Sequence, residues 1–246
     1  MDVLVTTIAE RPDLTALLGR FPADAWPEFM YSDPVAGLHY GHVEQYYREY
    51  TLVAIDPDHP ELAVAKAYST PFTWDGDLPD AGWDRVVVRA AQDRLLGRTG
   101  NLVSALEITI RPDARGTGLS SIMLDALRRN AARLGHDQLV APVRPNAKHA
   151  EPATPMAEYA ARVRDDGLPF DPWLRVHVRA GGQIVSVAPC SMTIPGTLAS
   201  WRKWTGLPFD TTGPVTVPGA LAPVHCDVEA DHAVYVEPNV WIRHRL

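Results

Sequence analysis

The sequence predicts an α/β fold in a single unit, with one mixed sheet flanked by helices. Three observations predict it. The stretch 102–110 crowds Leu102, Val103, Leu106, Ile108 and Ile110 into one short run, as a central strand requires. Residues 119–134 place apolar side chains at 119, 122, 123, 126, 127, 131 and 134, the spacing of an amphipathic helix. Strand and helix signals then alternate over 246 residues, with no long linker and no repeat at periods of roughly 20–50 residues.

The elements follow in order. Residues 2–9 read as a short β-branched strand, and Arg11-Pro12-Asp13 opens a helix that Gly19 closes. The stretch 21–41, rich in proline, aromatics and aspartate, reads as an irregular or short-helical cover, and 43–50 fits helix or strand equally. Two strands, 51–56 and 62–71, flank the turn Asp56-Pro57-Asp58-His59-Pro60. A helix over 84–97, the strand 102–110 and the helix 119–134 come next, then a strand over 138–143 and a helix within 146–166 that ends near Gly167. Residues 174–179 and 183–187 alternate around Gly181-Gly182 and predict a hairpin. After Pro195-Gly196 a helix over 198–205 and several short strands complete the chain, so that about 195–246 reads as a β-rich C-terminal extension of one domain, 1–246.

Composition narrows the function. Hydrophobic residues make up 46% and charged residues 22%, the balance of a globular chain, which excludes disorder, collagen and coiled coil. A chain of this length buries roughly 70–75% of its unfolded surface, enough for a core without disulfides. Asp and Glu number 30 against 23 Lys and Arg, a net charge of −7, which argues against nucleic acid as a partner. Cys190 and Cys226 are too few for a disulfide framework. The start, Met1-Asp2-Val3-Leu4, lacks a basic leader, and no run of 18 apolar residues exists, so a cytoplasmic protein with no membrane partner is expected.

The chemistry concentrates in Leu106-Glu107-Ile108-Thr109-Ile110-Arg111-Pro112-Asp113-Ala114-Arg115-Gly116-Thr117-Gly118-Leu119-Ser120, which runs from strand through a glycine loop into a helix. Glycines let the backbone approach a bulky ligand, successive N–H groups can converge, and the helix start adds its unsatisfied donors. Arg115 supplies a cation beside them. A diphosphate is the natural guest. A P-loop is excluded because the chain has no Gly-Lys pair, and a dinucleotide fingerprint fails because Ser stands at 121 and Asp137 precedes its strand.

The remaining pattern, Gln/Arg-x-x-Gly-x-Gly/Ala between strand and helix, resembles that of the GNAT superfamily of acyl-CoA N-acyltransferases, with Arg115, Gly118 and Ser120 at the motif positions and Gly116 fitting the common Arg-Gly start. Ser120 departs from the usual Gly or Ala. The resemblance continues through Asn146, Tyr159 and Gly167-Leu168-Pro169-Phe170 and covers about 100–190. It implies a mostly antiparallel mixed sheet and a loop, Arg115, Gly116, Thr117, Gly118, Leu119 and Ser120, that grips the coenzyme A pyrophosphate. It also implies Ile108, Thr109 and Ile110 beside the pantetheine arm, with Asn146 either bonding the coenzyme or closing a turn.

Acyl transfer to an amine needs a base, a polarised thioester and an acid for the departing thiolate. Glu107, eight residues before Arg115, stands where the family carries a proposed base. Strand alternation sets Glu107 and Thr109 on one face and Leu106, Ile108 and Ile110 on the other. The alternative for Glu107 is an ion pair on the sheet. Tyr159 is the candidate acid by resemblance, or else a packing residue. Arg128 and Arg129 suit either the 3′-phosphate or a solvated helix face. Phe29, Tyr31, Tyr40, Trp74 and Trp83 are expected to wall the acceptor pocket, with Asp33, Asp75 or Asp77 attracting a cationic amine.

No metal is expected, because adjacent His225 and Cys226 point to opposite faces of a strand. The expected activity is direct acetyl transfer from acetyl-CoA, as co-substrate, to a primary amine of a small molecule by a monomer or homodimer. The rivals are a non-catalytic acyl-CoA sensor and another CoA-thioester enzyme such as a decarboxylase.

Overall fold

The computed structural model describes residues 2–21 and 26–246. Nine strands form one mixed, mostly antiparallel sheet: β1 (Leu4–Thr7), β2 (Thr51–Asp56), β3 (His59–Phe72), β4 (Leu102–Ile110), β5 (Gln138–Val143), β6 (Gln183–Gly196), β7 (Gly213–Val215), β8 (Val224–Asp227) and β9 (His232–Arg245). Their order is β1-β2-β3-β4-β5-β9-β8-β7, with β6 on the other edge of β9. β4 and β5 are the parallel pair. The helices are α1 (Thr15–Leu18), α2 (Gly41–Tyr46), α3 (Gly82–Leu95), α4 (Leu119–Arg133), α5 (Met156–Ala160), α6 (Pro172–Arg179) and α7 (Leu198–Thr205). None of the described helices is long and apolar enough to cross a membrane.

Period-two alternation sorts the strands between two cores. Val103 and Ala105 of β4, Leu139 and Ala141 of β5, and Val240 and Ile242 of β9 meet Leu119, Met123 and Leu127 of α4. Each such side chain taken from water contributes roughly 1.5–3 kcal/mol, so α4 is held by its stripe rather than by its cap. Val140 and Trp241 point the other way and meet Val86 and Ala90 of α3.

The segment read as a C-terminal extension is woven into this sheet. β9 lies between β5 and β6, and residues 197–231 form an excursion between β6 and β9. Trp201 of α7, Phe209 and Val217 of that excursion pack with Phe29 and Tyr235 in a core of their own.

Two sequence expectations change. Residues 174–179 belong to helix α6, where a strand was expected. Asp171 caps it by accepting from the N–H groups of Trp173 and Leu174, Pro172 stands in its first turn, and the N–H of Gly182 returns to the carbonyl of His177. The alternation of Leu174, Val176 and Val178 is incidental, since Leu174 and His177 are the buried pair. The strand alternation in β4 is also broken. Between Tyr68↔Glu107 and Ser69↔Ala105 the register shifts, and Leu106 bulges out. Leu106 therefore packs on the α2–α3 side, beside Glu107, and not with Ile108 and Ile110.

Candidate active site

Pairing between β4 and β5 ends at Val103↔Leu139 and Ser104↔Val140. From Ala105 onward the β5-facing edge of β4 has no strand partner among the described residues, so the two strands part at the bulge. Ile108 and Ile110 are half-buried against the α4 core beyond that point. The indole N–H of Trp83 donates to the carbonyl of Leu106 at 3.2 Å and fixes the bulged residue.

Glu107 projects to the opposite side with its side chain 11% exposed. Tyr40 Oη donates to its Oε2 at 2.7 Å, Thr109 Oγ1 donates to its Oε1, and Lys66 Nζ stands 3.5 Å from Oε1. Burial and the neighbouring Glu107 carboxylate hold the Tyr40 phenol well above its ordinary range, so Tyr40 stays a donor. Tyr68, opposite Glu107 on β3, donates to Glu44 at 2.7 Å and packs edge-on to Tyr40 at 5.6 Å. Thr109 thus serves Glu107 from the same face, as strand alternation predicts. Tyr40 and Lys66 were not legible as its partners, because they come from 67 and 41 residues away.

The loop before α4 leaves its backbone donors open. Gly116 and Gly118 have φ of +79° and +85°, and a Cβ at either would meet nothing within 4 Å. The constraint is the left-handed backbone and the open space in front of it. Among the described residues the N–H groups of 116, 117, 118, 119 and 120 donate to no acceptor, whereas those of Ser121 and Ile122 return to Gly118. Thr117 Oγ1 donates to Ala114 at 2.7 Å and pins the turn. Arg115 is exposed with no ion-pair partner among the described residues, while Arg111 is engaged by Asp113. Five open donors at a helix start beside an unpaired guanidinium suit a diphosphate.

The other predicted residues divide. Asn146 is exposed in the turn after β5, and its carbonyl is the acceptor for His149 at 3.0 Å. Tyr159 on α5 is buried, and its hydroxyl donates to Asp171 at 3.0 Å; Asp171 also accepts from the N–H of Ala147. Burial and Asp171 raise the Tyr159 phenol well above its ordinary range. Arg128 and Arg129 pair with Asp125. Arg128 lies nine residues into α4, roughly 14 Å along the axis from the loop at about 1.5 Å per residue.

Of the expected pocket walls, Tyr40 and Trp83 pack in a tilted contact at 5.4 Å beside Glu107. Phe29 belongs instead to the core around Trp201, Tyr31 is exposed, and Trp74 packs on Phe72 while its indole donates to the Asp77 carbonyl. Asp75 accepts from Asn101 at 3.3 Å. The part of the aromatic cover at 22–25 lies outside the described residues. No group of three or more His, Cys, Asp or Glu among the described residues is placed to hold a metal ion.

A sheet parted at a bulged strand, with a glycine loop of open N–H donors leading into the next helix, defines the GNAT fold class. Solved structures agree on the fold: the loading GNAT-like domain of CurA from Lyngbya majuscula (TM-score 0.60, 18% identity, spanning 100% of this chain and 98% of that one) and the GNAT-like decarboxylase GphF (TM-score 0.56, 16% identity, 100% and 99%). No family model matches the chain. An arginine N-acetyltransferase of Aspergillus versicolor, avaD, is 34% identical over 270 residues, covering 98% of this chain and 93% of that protein. The chain belongs to the GNAT superfamily and is an N-acetyltransferase.

Proposed function

We propose that the chain transfers the acetyl group of acetyl-CoA to an amine of a small, cationic molecule, arginine being the acceptor suggested by the Aspergillus relative. The observation that carries this reading is the placement of Glu107 at the parted edge of β4, one short turn before the cradle formed by residues 115–120. The cradle donors and Arg115 bind the pyrophosphate. The unpaired edge of β4 near Ile108 and Ile110 receives the arm that carries the thioester and offers main-chain N–H groups to its carbonyl. Thr109 and Tyr40 orient Glu107.

Glu107 takes a proton from the incoming ammonium, the neutral amine nitrogen bonds to the acyl carbon, the carbon–sulfur bond breaks, and the proton that the nitrogen sheds in becoming an amide passes to the departing thiolate. Because the Tyr159 hydroxyl proton is held by Asp171, we assign Tyr159 to positioning the 146–174 segment rather than to protonating the thiolate. Unpaired Cys190 and Cys226 favour a reducing, cytoplasmic setting.

Calorimetric titration with acetyl-CoA tests the cradle, with NAD and GTP as controls. Binding of acetyl-CoA alone, followed by thiol release on adding arginine or related amines, supports the reading. No acetyl-CoA binding overturns it, as does carbon dioxide release from malonyl-CoA with no transfer to any amine.

A further inference from the structure

Beyond Ser104↔Val140 the strands β4 and β5 share no ladder pair, yet a buried chain of hydrogen bonds joins them again. It starts at Arg144, the first residue after β5, whose Nε donates to Glu237 Oε2 at 2.9 Å while its Nη2 donates to the Gly219 carbonyl at 2.5 Å. Tyr235 Oη donates to the same Glu237 oxygen at 2.8 Å, and Asn239 Nδ2 donates to Oε1 at 3.0 Å. Ser191 Oγ donates to Asn239 Oδ1 at 2.6 Å and accepts from the backbone N–H of Trp83 at 2.9 Å. The Trp83 indole then reaches the carbonyl of Leu106 at the β4 bulge. The chain thus runs from the exit of one parted strand to the bulge of the other.

Its polarity admits one arrangement. A backbone N–H only donates, so Ser191 accepts from Trp83 and gives its own proton to Asn239 Oδ1. The Asn239 NH₂ group then faces Glu237, which as a carboxylate only accepts. Arg144 supplies the counter-charge for that buried carboxylate. Ser191 and Glu237 are 0% exposed and Asn239 2%, so water cannot replace a lost bond. None of these side chains leaves a buried polar atom without a partner among the described residues, and a satisfied network of this kind holds one geometry.

Ser191 is brought into place by an irregular strand. The β6–β9 register passes from Ala188↔Asn239 to Met192↔Glu237, so 189–191 bulge opposite Pro238, which has no N–H to offer the ladder. The start of α3 pins this bulge: the Cys190 N–H donates to the Asp80 carbonyl at 3.2 Å, and the Thr193 N–H donates to Asp84 Oδ2 at 3.1 Å. Trp83 lies in the first turn of α3, where backbone N–H groups lack a helical acceptor, so Ser191 caps the helix from a neighbouring strand.

We propose that Ser191 and Asn239 are positioning residues for acyl transfer, acting through Trp83 to fix the β4 bulge and with it the opening between β4 and β5. The proposal rests on the reading that the thioester lies along the free edge of β4. Because Arg144 and Glu237 anchor the chain on the β5 side, the two walls of the opening are set against each other. Main-chain donors along that edge stabilise a developing oxyanion only when they are held in place beforehand. A small displacement there lowers the rate without weakening the grip on the coenzyme.

The test pairs amide hydrogen exchange over residues 105–110 with thiol release from acetyl-CoA in the presence of arginine. Ser191→Ala and Asn239→Ala are expected to speed exchange over 105–110 about tenfold and to lower kcat about as much, while the Kd for coenzyme A stays put. Asn239→Asp keeps an acceptor for Ser191 and shares a proton with Glu237, as adjacent buried carboxyls do, so it is expected to keep slow exchange at neutral pH. Cys226→Ala, in the neighbouring core but outside the chain, is expected to lower Tm and leave both readouts unchanged. Unchanged exchange in both alanine variants overturns the proposal, as does a loss of kcat that Cys226→Ala shares. Faster exchange with an unchanged kcat also overturns it and leaves a purely structural chain. If wild type acetylates no amine, the acceptor reading fails, whereas the exchange result still decides whether the chain holds the bulge.

Discussion

Trp83 and Leu106 are joined by a 3.2 Å hydrogen bond from the indole N–H to the carbonyl of the bulged residue. The backbone N–H of the same tryptophan donates to Ser191 Oγ at 2.9 Å, at a second bulge in β6. Gly82 permits this approach, since a Cβ there would lie 2.2 Å from that oxygen. Helix α3 therefore holds both irregular strands from one end. Trp83→Phe keeps most of the ring and removes the indole donor. We expect a stability loss of about 1 kcal/mol and a fall in kcat with little change in coenzyme binding. Denaturant melts and steady-state kinetics check both, and an unchanged kcat would mean that the bulge holds without Trp83.

Glu107→Gln keeps one acceptor oxygen for either Tyr40 or Thr109, turns the other position into a donor, and removes the base and the charge facing Lys66. If Glu107 takes the amine proton, kcat should fall by roughly 10²–10⁴ while the Kd for acetyl-CoA stays put. A drop confined to KM would instead indicate a binding role.

Gly118→Asp forces an L-residue to φ +85°, at a cost of about 1–2 kcal/mol, and points a carboxylate into the open cradle. Combined with Arg115→Ala, it should abolish acetyl-CoA binding in calorimetry. Retained affinity would move the pyrophosphate elsewhere on the molecule.

Stability should peak near pH 6–6.5. Burial depresses His177 to about 3 and His244 to about 4, the latter aided by Arg128. Below their unfolded pKa, the unfolded chain gains protons that the folded one refuses, so stability falls toward acid. Asp84 acts oppositely: its folded value of about 8 exceeds the unfolded one, and the stability it contributes is lost as pH rises toward 8. Below pH ~6 two histidines outweigh one carboxyl, and above it Asp84 alone sets the slope, at about 1.4 kcal/mol per unit. Urea melts at three pH values check the peak, and Asp84→Asn should flatten its alkaline side.

Much of this was legible because local pattern and tertiary role coincide. β4, β5 and α7 fall where apolar runs and turn residues put them, and the loop from Arg115 to Ser120 joins strand to helix where its two glycines put it. Elsewhere the sequence misleads or is silent. In α6 alternation of Val176 and Val178 masked the stronger signal of Asp171-Pro172, a cap followed by a first-turn proline. The bulge at Leu106 has no local signature, because it depends on the register against β3. The Glu107 environment draws on Tyr40 and Lys66, distant in sequence, so closure of the fold created it.

Tyr159 offers the sharpest separation of a chemical role from a structural one. Its hydroxyl donates to Asp171, and the same carboxylate accepts from Trp173, Leu174 and Ala147, joining α5, the start of α6 and the turn after β5. A proton held this way is poorly placed for transfer, because giving it up would leave two anions buried side by side. Tyr159→Phe should therefore cost about 1–2 kcal/mol in stability, through the acceptor left short on Asp171, while kcat stays within a few-fold of wild type and the alkaline limb of its pH profile does not move. Loss of that limb with the fold intact would show that the hydroxyl does reach the departing thiolate and that the bond to Asp171 opens during turnover.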